Sequence, residues 1–400
     1  MSWEKTTVGE IVTTRKGYAF KSSEYVNKGV PVVRVSDYTM DSISDADLKY
    51  YPYDEKQNYI DYELHEKDVI VQTVGSWQNN PASVVGKVVR VPYFLEGALL
   101  NQNAVKIMPA EGIDNNFLFY RLKTEEFKGH VLGEARGAAN QASITLDTIK
   151  SFDFLIPDCL TQKKIGNILS KYDELIENNR KQIKLLEETA QRLYKEWFVD
   201  LRFPGYEDCK IVDGVPVEWK KKKLDEIADV IMGQSPKSEF YNKEHKGLPF
   251  HQGVGSYGAR FVQDDTYSTS FTKVAEANSI LFSVRAPVGR LNITKNKIVI
   301  GRGIAAINSK SGFQSYLFYA LKERFFKDDI LGNGAIFASI SKNEILNQVF
   351  VIPDEKIMSA YEKIAAALDK KIEVVDMQLQ QLVEARDRLL PKLMNGEIEV

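Results

Sequence analysis

The chain has 400 residues, 44% of them hydrophobic, with 53 Lys/Arg against 55 Asp/Glu and a formal net charge of −2. That length supports at least two cores, and a charge this near balance excludes a simple basic coat for nucleic acid. Two cysteines (Cys159, Cys209) exclude a disulfide framework, and four scattered histidines (His65, His130, His245, His251) form no ligand-like cluster. No apolar run approaches the ~18 residues a membrane helix needs, and Met1–Lys5 has no character of a signal peptide, so a cytoplasmic protein is expected.

In chain order, residues 1–156 form a first domain. It opens on Trp3 and Glu10-Ile11 and reaches Lys16-Gly17-Tyr18-Ala19-Phe20. Short β-rich runs such as Val30–Val35 and Val69–Val71 follow, separated by Gly, Asn and Pro turns. One amphipathic helix is expected near Asn116–Phe127. Ala142-Ser143-Ile144 then leads to Phe154-Leu155-Ile156-Pro157-Asp158. The domain carries 17 Lys/Arg and 21 Asp/Glu, net −4.

Residues 157–204 form a helical spacer and linker. Ile165, Leu169, Tyr172, Ile176, Asn179, Ile183, Leu186, Ala190, Leu193 and Trp197 recur in steps of four and three, a coiled-coil seam. A helix over this pattern is roughly 50 Å long at 1.5 Å per residue. Asn179 interrupts the apolar seam; a buried Asn can fix register, and a solvated edge position accounts for it equally well.

Residues 205–352 repeat the first domain. Trp219, Glu226-Ile227 and Gly233 match Trp3, Glu10-Ile11 and Gly17 at an offset of 216. Leu317-Phe318-Tyr319 matches Leu118-Phe119-Tyr120 at 199, and Ala338-Ser339-Ile340 with Phe350-Val351-Ile352-Pro353-Asp354 match at 196. The second copy is therefore about 20 residues shorter, and the losses are expected between Asp37 and Lys67. A helix is expected near Gln314–Phe326. This domain is basic, 20 Lys/Arg against 16 Asp/Glu. Residues 353–400 form a second helical spacer, with a seam through Tyr361, Ala365, Leu368, Ile372, Val375, Leu379, Leu382, Arg386, Leu389 and Leu393, and with Pro391 expected to end it.

A stripe of this length needs a partner, and the nearest is its own repeat. The fold class is therefore α+β: two similar domains with largely antiparallel sheets, separated by two long antiparallel coiled-coil helices, an internal repeat with pseudo-twofold character. Common frames with different middles suit the binding of two different things.

The chemistry-bearing motifs are few. Gly253-Val254-Gly255-Ser256-Tyr257-Gly258 fits a dinucleotide GxGxxG pattern, but no helical stripe follows it, so a loop is expected. Asn79-Asn80-Pro81-Ala82 lacks the second proline and the aromatic residue of an amino-methyltransferase motif, and there is no GxxxxGK[ST] phosphate loop. Lys220–Lys223 is a basic run that reads as a solvated face or a phosphate contact. Arg285-Ala286-Pro287-Val288-Gly289-Arg290 and Gly301-Arg302-Gly303-Ile304 combine arginine with rigid turns. An Arg fork there can read guanine, grip phosphate or satisfy buried carbonyls. Arg136-Gly137-Ala138-Ala139-Asn140-Gln141 and Gly332-Asn333-Gly334-Ala335-Ile336-Phe337 occupy equivalent places, where small residues let amide side chains approach base edges.

Taken together these features resemble the DNA-specificity subunit of type I restriction–modification systems, over essentially the whole chain. The resemblance is carried by Lys16–Phe20, Gly233-Gln234-Ser235-Pro236, Arg285–Gly289, Ile300–Gly303, the linker Glu196-Trp197-Phe198-Val199-Asp200-Leu201-Arg202-Phe203-Pro204-Gly205 and the tail Leu389-Leu390-Pro391-Lys392-Leu393-Met394-Asn395-Gly396-Glu397-Ile398. It implies two target-recognition domains that each read half of a bipartite site in double-stranded DNA. It also implies helical regions that space the domains and dock two methyltransferase subunits, with motor/nuclease subunits joining for restriction. The chain itself is then non-catalytic and binds no cofactor; S-adenosylmethionine, ATP and Mg²⁺ belong to partners.

On this reading the DNA-facing candidates in domain 1 are Lys16, Tyr18, Arg34, Trp77, Gln102, Arg136, Asn140 and Gln141. Those in domain 2 are Gln234, Ser235, Gln252, Arg285, Arg302, Asn333 and Phe337. Domain 1 has Val74-Gly75-Ser76-Trp77-Gln78 and Asn101-Gln102-Asn103 where domain 2 has its arginine turns, so the roles of Arg285 and Arg302 do not transfer by position alone. Competing readings are a coiled-coil scaffold that binds no DNA, a fused restriction–methylation enzyme, and a specificity module of another multi-subunit methyltransferase or defence system.

Overall fold

A computed structural model describes residues 3–39, 42–77, 83–138, 141–325 and 339–400. The chain divides into two compact units, 1–178 with 379–400, and 179–378. Each unit takes one α+β domain and one part of each long helix.

In the first unit, β1 (Glu4–Thr7) leads into a one-turn helix α1 (Val8–Ile11) and β2 (Val12–Lys16). Then come β3 (Val30–Val33), β4 (Lys49–Tyr51), β5 (Val69–Gln72), β6 (Val74–Gly75), β7 (Val88–Arg90), β8 (Leu99–Leu100) and β9 (Ala104–Pro109). The Val/Ile-rich runs pair as an antiparallel sheet ordered β2-β9-β5-β7, and a second sheet is ordered β4-β3-β8 with β3 and β8 parallel. Residues 69–72 are buried throughout, as expected of a central strand.

Helices α2 (Asn115–Leu122) and α3 (Glu125–Gly133) follow where one helix was expected. The break has a local cause: Thr124 leaves the helical conformation, and its hydroxyl accepts the Phe127 N–H at 3.4 Å to start a new helix. A hairpin of β10 (Arg136–Ala138) and β11 (Gln141–Ser143) joins β6, and α4 (Leu146–Lys150) leads to β12 (Asp153–Ile156), which pairs with β1.

The long helix α5 (Cys159–Tyr194) ends in a wider π-type turn at Lys195–Val199. Asp158 caps its start, accepting the Thr161 N–H at 3.0 Å.

The second unit repeats this order. After a small β13 (Ile211–Val212) and β14 (Val215–Pro216) hairpin come β15 (Lys220–Lys223), α6 (Leu224–Ile227), β16 (Ala228–Met232), β17 (Tyr241–Asn242), β18 (Leu248–His251), β19 (Tyr267–Ser268), β20 (Val274–Ala275), β21 (Ile280–Ser283), β22 (Leu291–Ile293), β23 (Ile298–Ile300) and β24 (Ile304–Ser309). Its central sheet runs β16-β24-β21-β22, matching β2-β9-β5-β7, and β18 lies parallel to β23 as β3 does to β8. Helix α7 (Gln314–Phe325), α8 (Lys342–Leu346), β25 (Val349–Ile352) and the long α9 (Glu355–Met394) complete it.

Lys220–Lys223 forms the strand that pairs with β25, which uses its backbone and leaves most of its side chains exposed. The loop at Gly253–Gly258 holds one 3₁₀ turn.

The shortening of domain 2 is spread out, against the expectation that the losses lie between Asp37 and Lys67. Part falls between β3 and β5, but the β5–β7 connection is shortened as much. Loop lengths between packed strands drift because loops are cheap to change while paired strands are not.

The seam residues face inward. Leu169, Ile176, Asn179 and Ile183 are buried on α5 and Ile372 and Val375 on α9. Leu186, Leu193, Leu368, Leu379, Leu382 and Leu389 are half-buried. Within each unit the helices run antiparallel: Asp173 meets Arg386, while Lys164 reaches the Val400 carbonyl.

In the other unit Tyr361 reaches the Ala190 carbonyl at 3.4 Å. Pro391 does not end α9, which continues to Met394. A proline this near a helix end forfeits a single interior hydrogen bond, and the next turn buries Leu393 and Met394 in the first unit's core. Among the described residues no helix is long and apolar enough to cross a membrane.

Candidate nucleic-acid interface

The candidate surface in domain 2 is built where three strand ends meet. β16 runs out at Met232, and Gly233 turns the chain beneath the β23–β24 loop, its N–H bonded to the Ile304 carbonyl at 2.9 Å. A Cβ on Gly233 would sit 2.2 Å from the Gly301 carbonyl, so this close approach requires glycine. The Gln234 N–H bonds to Ile300 at 2.9 Å, and the Arg302 N–H bonds to the Ser235 hydroxyl at 3.2 Å.

From the far side β18 delivers Gln252: its carbonyl accepts the Gly303 N–H at 3.0 Å, and the His251 carbonyl accepts the Gly301 N–H at 2.8 Å. Gln234, Ser235, Gln252 and Arg302 thus come together in one cradle. Ser235 is half-buried and the other three are exposed.

Buried His251 supports this cradle from below. Its ring nitrogens lie 2.8 Å from the Ser256 hydroxyl and 2.9 Å from the Asp264 carboxylate. In the sequence it was an isolated histidine; the return of Ser256 and Asp264 to the β18 end gives it two partners.

Domain 1 builds the same cradle. Gly17 bonds to the Ala104 carbonyl, Tyr18 N–H to Leu100 at 3.0 Å, Gln102 N–H to the Tyr18 carbonyl at 2.8 Å, and Asn101 N–H to Val33 at 3.0 Å. A Cβ on Gly17 would lie 1.9 Å from the Asn101 carbonyl, which explains the repeated glycine. Tyr18 and Gln102 are exposed, and Lys16 is exposed at the end of β2 beside them.

The strand pairings set the correspondence. Arg34 follows the β3 residue paired with Leu100, and Gln252 follows the β18 residue paired with Ile300. Gln102 and Arg302 take the matching place in the opposing turn. Arginine and glutamine have therefore changed sides between the two cradles.

They are not equally available. Arg34 donates to Asp37 at 2.7 and 3.2 Å and to the Asp47 carbonyl at 2.6 Å, which occupies its fork within the protein. The carboxylates of Asp37 and Asp47, working against burial, hold its guanidinium above the usual range.

A second strip adjoins each cradle. In domain 1 the β10–β11 hairpin presents Arg136 and Gln141, both exposed, and half-buried Trp77 follows β6 in the same sheet. Thr73 ties strip to cradle: its N–H bonds to Asn103 at 2.8 Å and its carbonyl accepts Ile144 N–H at 2.9 Å. In domain 2 Val284 makes the same two bonds, to Gly303 and from Ile340, each at 2.9 Å. That linkage places the repeated Ser-Ile at the same point of each frame. Arg285, next to Val284, is exposed and bridges Ser339 through its backbone. Asn140, Asn333 and Phe337 lie outside the described residues.

An aromatic cluster beside the domain 1 cradle escaped the sequence reading. Tyr18 lies 5.1 Å from Phe20, 4.9 Å from Tyr59 and 5.2 Å from Tyr62, and Tyr59 also meets Tyr51. Its neighbour Tyr59, chiefly, pushes the Tyr18 hydroxyl above its usual range. The signal was the density of tyrosines at 50–62, in a stretch that looked merely polar. Among the described residues no group of three His, Cys, Asp or Glu side chains is placed to hold a metal.

Two exposed polar cradles, each on an α+β domain whose core packs on an antiparallel helix pair, define a tandem target-recognition protein. The family model for the type I restriction modification DNA specificity domain matches the chain twice, at residues 1–188 and 216–385. The chain belongs to this family: it is a DNA-specificity subunit, the non-catalytic component of a restriction–modification complex.

A protein of Methanocaldococcus jannaschii named as the MjaX specificity subunit of a type I restriction enzyme is 30% identical over 405 residues, covering 100% of this chain and 94% of that one. The HindI specificity subunit of Haemophilus influenzae is 25% identical, covering 75% and 80%. The crystal structure of the type I restriction–modification S subunit from M. genitalium aligns with a TM-score of 0.61 at 17% identity, over 98% of this chain and 96% of that one, and speaks for the fold.

Proposed function

We propose that the two cradles each read one half of a bipartite site in double-stranded DNA, and that the chain directs methylation there by two methyltransferase subunits docked on its helical regions. Motor/nuclease subunits join through the same complex for restriction. S-adenosylmethionine, ATP and Mg²⁺ are held by those partners.

The observation that carries this reading is the cradle itself. The same backbone frame occurs twice and carries Tyr18 and Gln102 in one copy, Gln234, Gln252 and Arg302 in the other. Exposed amide and guanidinium groups on rigid turns suit donor and acceptor patterns at base edges, while neighbouring lysines such as Lys16 suit phosphates. Identical frames with unlike side chains suit two unlike half-sites.

The test is methylation sequencing of a randomised DNA library, using the chain assembled with its methyltransferase. A motif in two separated halves is expected. Replacing Gln252 or Arg302 by Ala should degrade positions in one half only. A single contiguous motif, or methyl transfer by the isolated chain, would overturn the reading.

A further inference from the structure

Each unit contains a cluster of half-buried and buried charge that its cradle does not use. In the first unit, Asp173 of α5 accepts hydrogen bonds from Tyr120 at 2.5 Å, Arg90 at 3.3 Å and Arg386 of α9 at 2.8 Å. The Arg90 guanidinium lies 4.2 Å from the Phe119 ring centre. In the second unit, Asp369 of α9 accepts from Tyr319 at 2.8 Å and Arg260 at 2.5 Å. The Arg260 guanidinium lies 3.7 Å from the Phe318 ring centre and 3.6 Å from Glu187 of α5.

Asp173 and Asp369 match at the repeat offset of 196, and Phe119-Tyr120 matches Phe318-Tyr319 at 199. The arginines do not match. Arg90 is the β7 residue paired with Val69, and its register counterpart on β22, paired with Ile280, is Ile293. Domain 2 supplies the guanidinium from the connection between β18 and β19, where the Arg260 carbonyl accepts the Ile293 N–H at 3.0 Å. Two different routes through the chain bring arginine to one place over one Phe-Tyr-Asp frame.

Burial pushes both tyrosine hydroxyls up, and each donates to its carboxylate. Each cluster joins the domain, the helix that follows it and the other helix of the pair. Buried ion pairs contribute little net stability against apolar substitutes, and their best-attested use is to fix one geometry.

We infer that Asp173 and Asp369 are positioning residues that clamp each reading domain at a fixed angle on its own helix pair, and thereby set the spacer length the chain accepts. The inference rests on the bipartite reading proposed above. The clamp shares no residue with the cradle, so it should govern where a half-site must lie and leave its sequence alone.

The experiment measures methylation by the chain assembled with its methyltransferase on targets with the native spacer and with spacers one base pair longer or shorter. Asp369→Asn should leave the sequence of each half-site unchanged while preference for the native spacer falls about tenfold, the scale of one lost charge-assisted hydrogen bond. Tyr319→Phe removes a single hydroxyl and should shift the preference the same way by less; it carries the test should D369N fail to fold. Asp173→Asn should do likewise from the first unit. Uniform loss of rate on all spacers, tracking a lowered Tm in both Asp369→Asn and Tyr319→Phe, would show a purely structural cluster and sink the inference. A wild-type complex that needs no second half-site would sink the functional reading first.

Discussion

Arg302 and Gln102 hold the same turn in two copies of one frame, and their surroundings decide what each can do. Arg302 is exposed, and its backbone is pinned by Ser235. If it reads a base, Arg302→Ala should cost ~1–3 kcal/mol of binding and relax one position of the site. Band-shift titration of single-base variants at fixed salt measures this; a lowered Tm with site preference intact would assign Arg302 a structural role instead.

At the same scale, Glu10 caps α1, accepting the Thr7 N–H at 2.7 Å. That bond, with help from the Thr6 hydroxyl, holds its carboxyl below the usual range. A depressed folded pKa stabilises above the unfolded value and the benefit is lost as pH falls through the folded one. Glu10→Gln should therefore lower the urea midpoint at neutral pH, and the gap to wild type should close on the acid limb. A gap that persists unchanged into strong acid would exclude the carboxylate as its source.

The individual elements show how far local pattern carries. Stepping by four and three identified both long helices and the inward seam, because a helix repeats every 3.6 residues and buries one stripe. Leu169 and Ile372 are fully buried, and Leu169→Ala or Ile372→Ala should each cost ~2–5 kcal/mol in urea unfolding. A cost near zero would mean the seam is not packed.

Pattern failed at the ends of helices. Thr124 splits α2 from α3 through a single cap, and Pro391 sits inside α9 because burial of Leu393 and Met394 outweighs one missing N–H. The first is a local cap that periodicity does not register, and the second turns on tertiary contacts. The polar intruders Asn179 and Arg386 are both buried, and Arg386 is held by its neighbour Asp387 and by Asp173, 213 residues away in the chain.

At the scale of the molecule, the two domains share topology but not surface. Replacing residues 219–352 with the matching segment of a relative should change one half of the methylated motif and leave the other intact. Sequencing of methylated DNA reads this directly, and a change in both halves would contradict independent reading.

The sequence by itself determined the duplication, the two helical seams, the α+β class and the family. These rest on periodicity and on side chains close together along the chain. It also marked Gly17 and Gly233, whose backbones meet another backbone too closely for a Cβ. Only the tertiary structure decided that Arg34 and Gln102 are exchanged for Gln252 and Arg302, that the Asp47 carbonyl returns to Arg34, and that Arg90 and Arg260 arrive at one clamp from unrelated positions. Those facts depend on the parallel pairings β3–β8 and β18–β23 and on loops folding back across them. Long-range pairing brings together residues whose separation along the chain carries no periodic signal, so the frame was legible in the sequence and the partners within it were not.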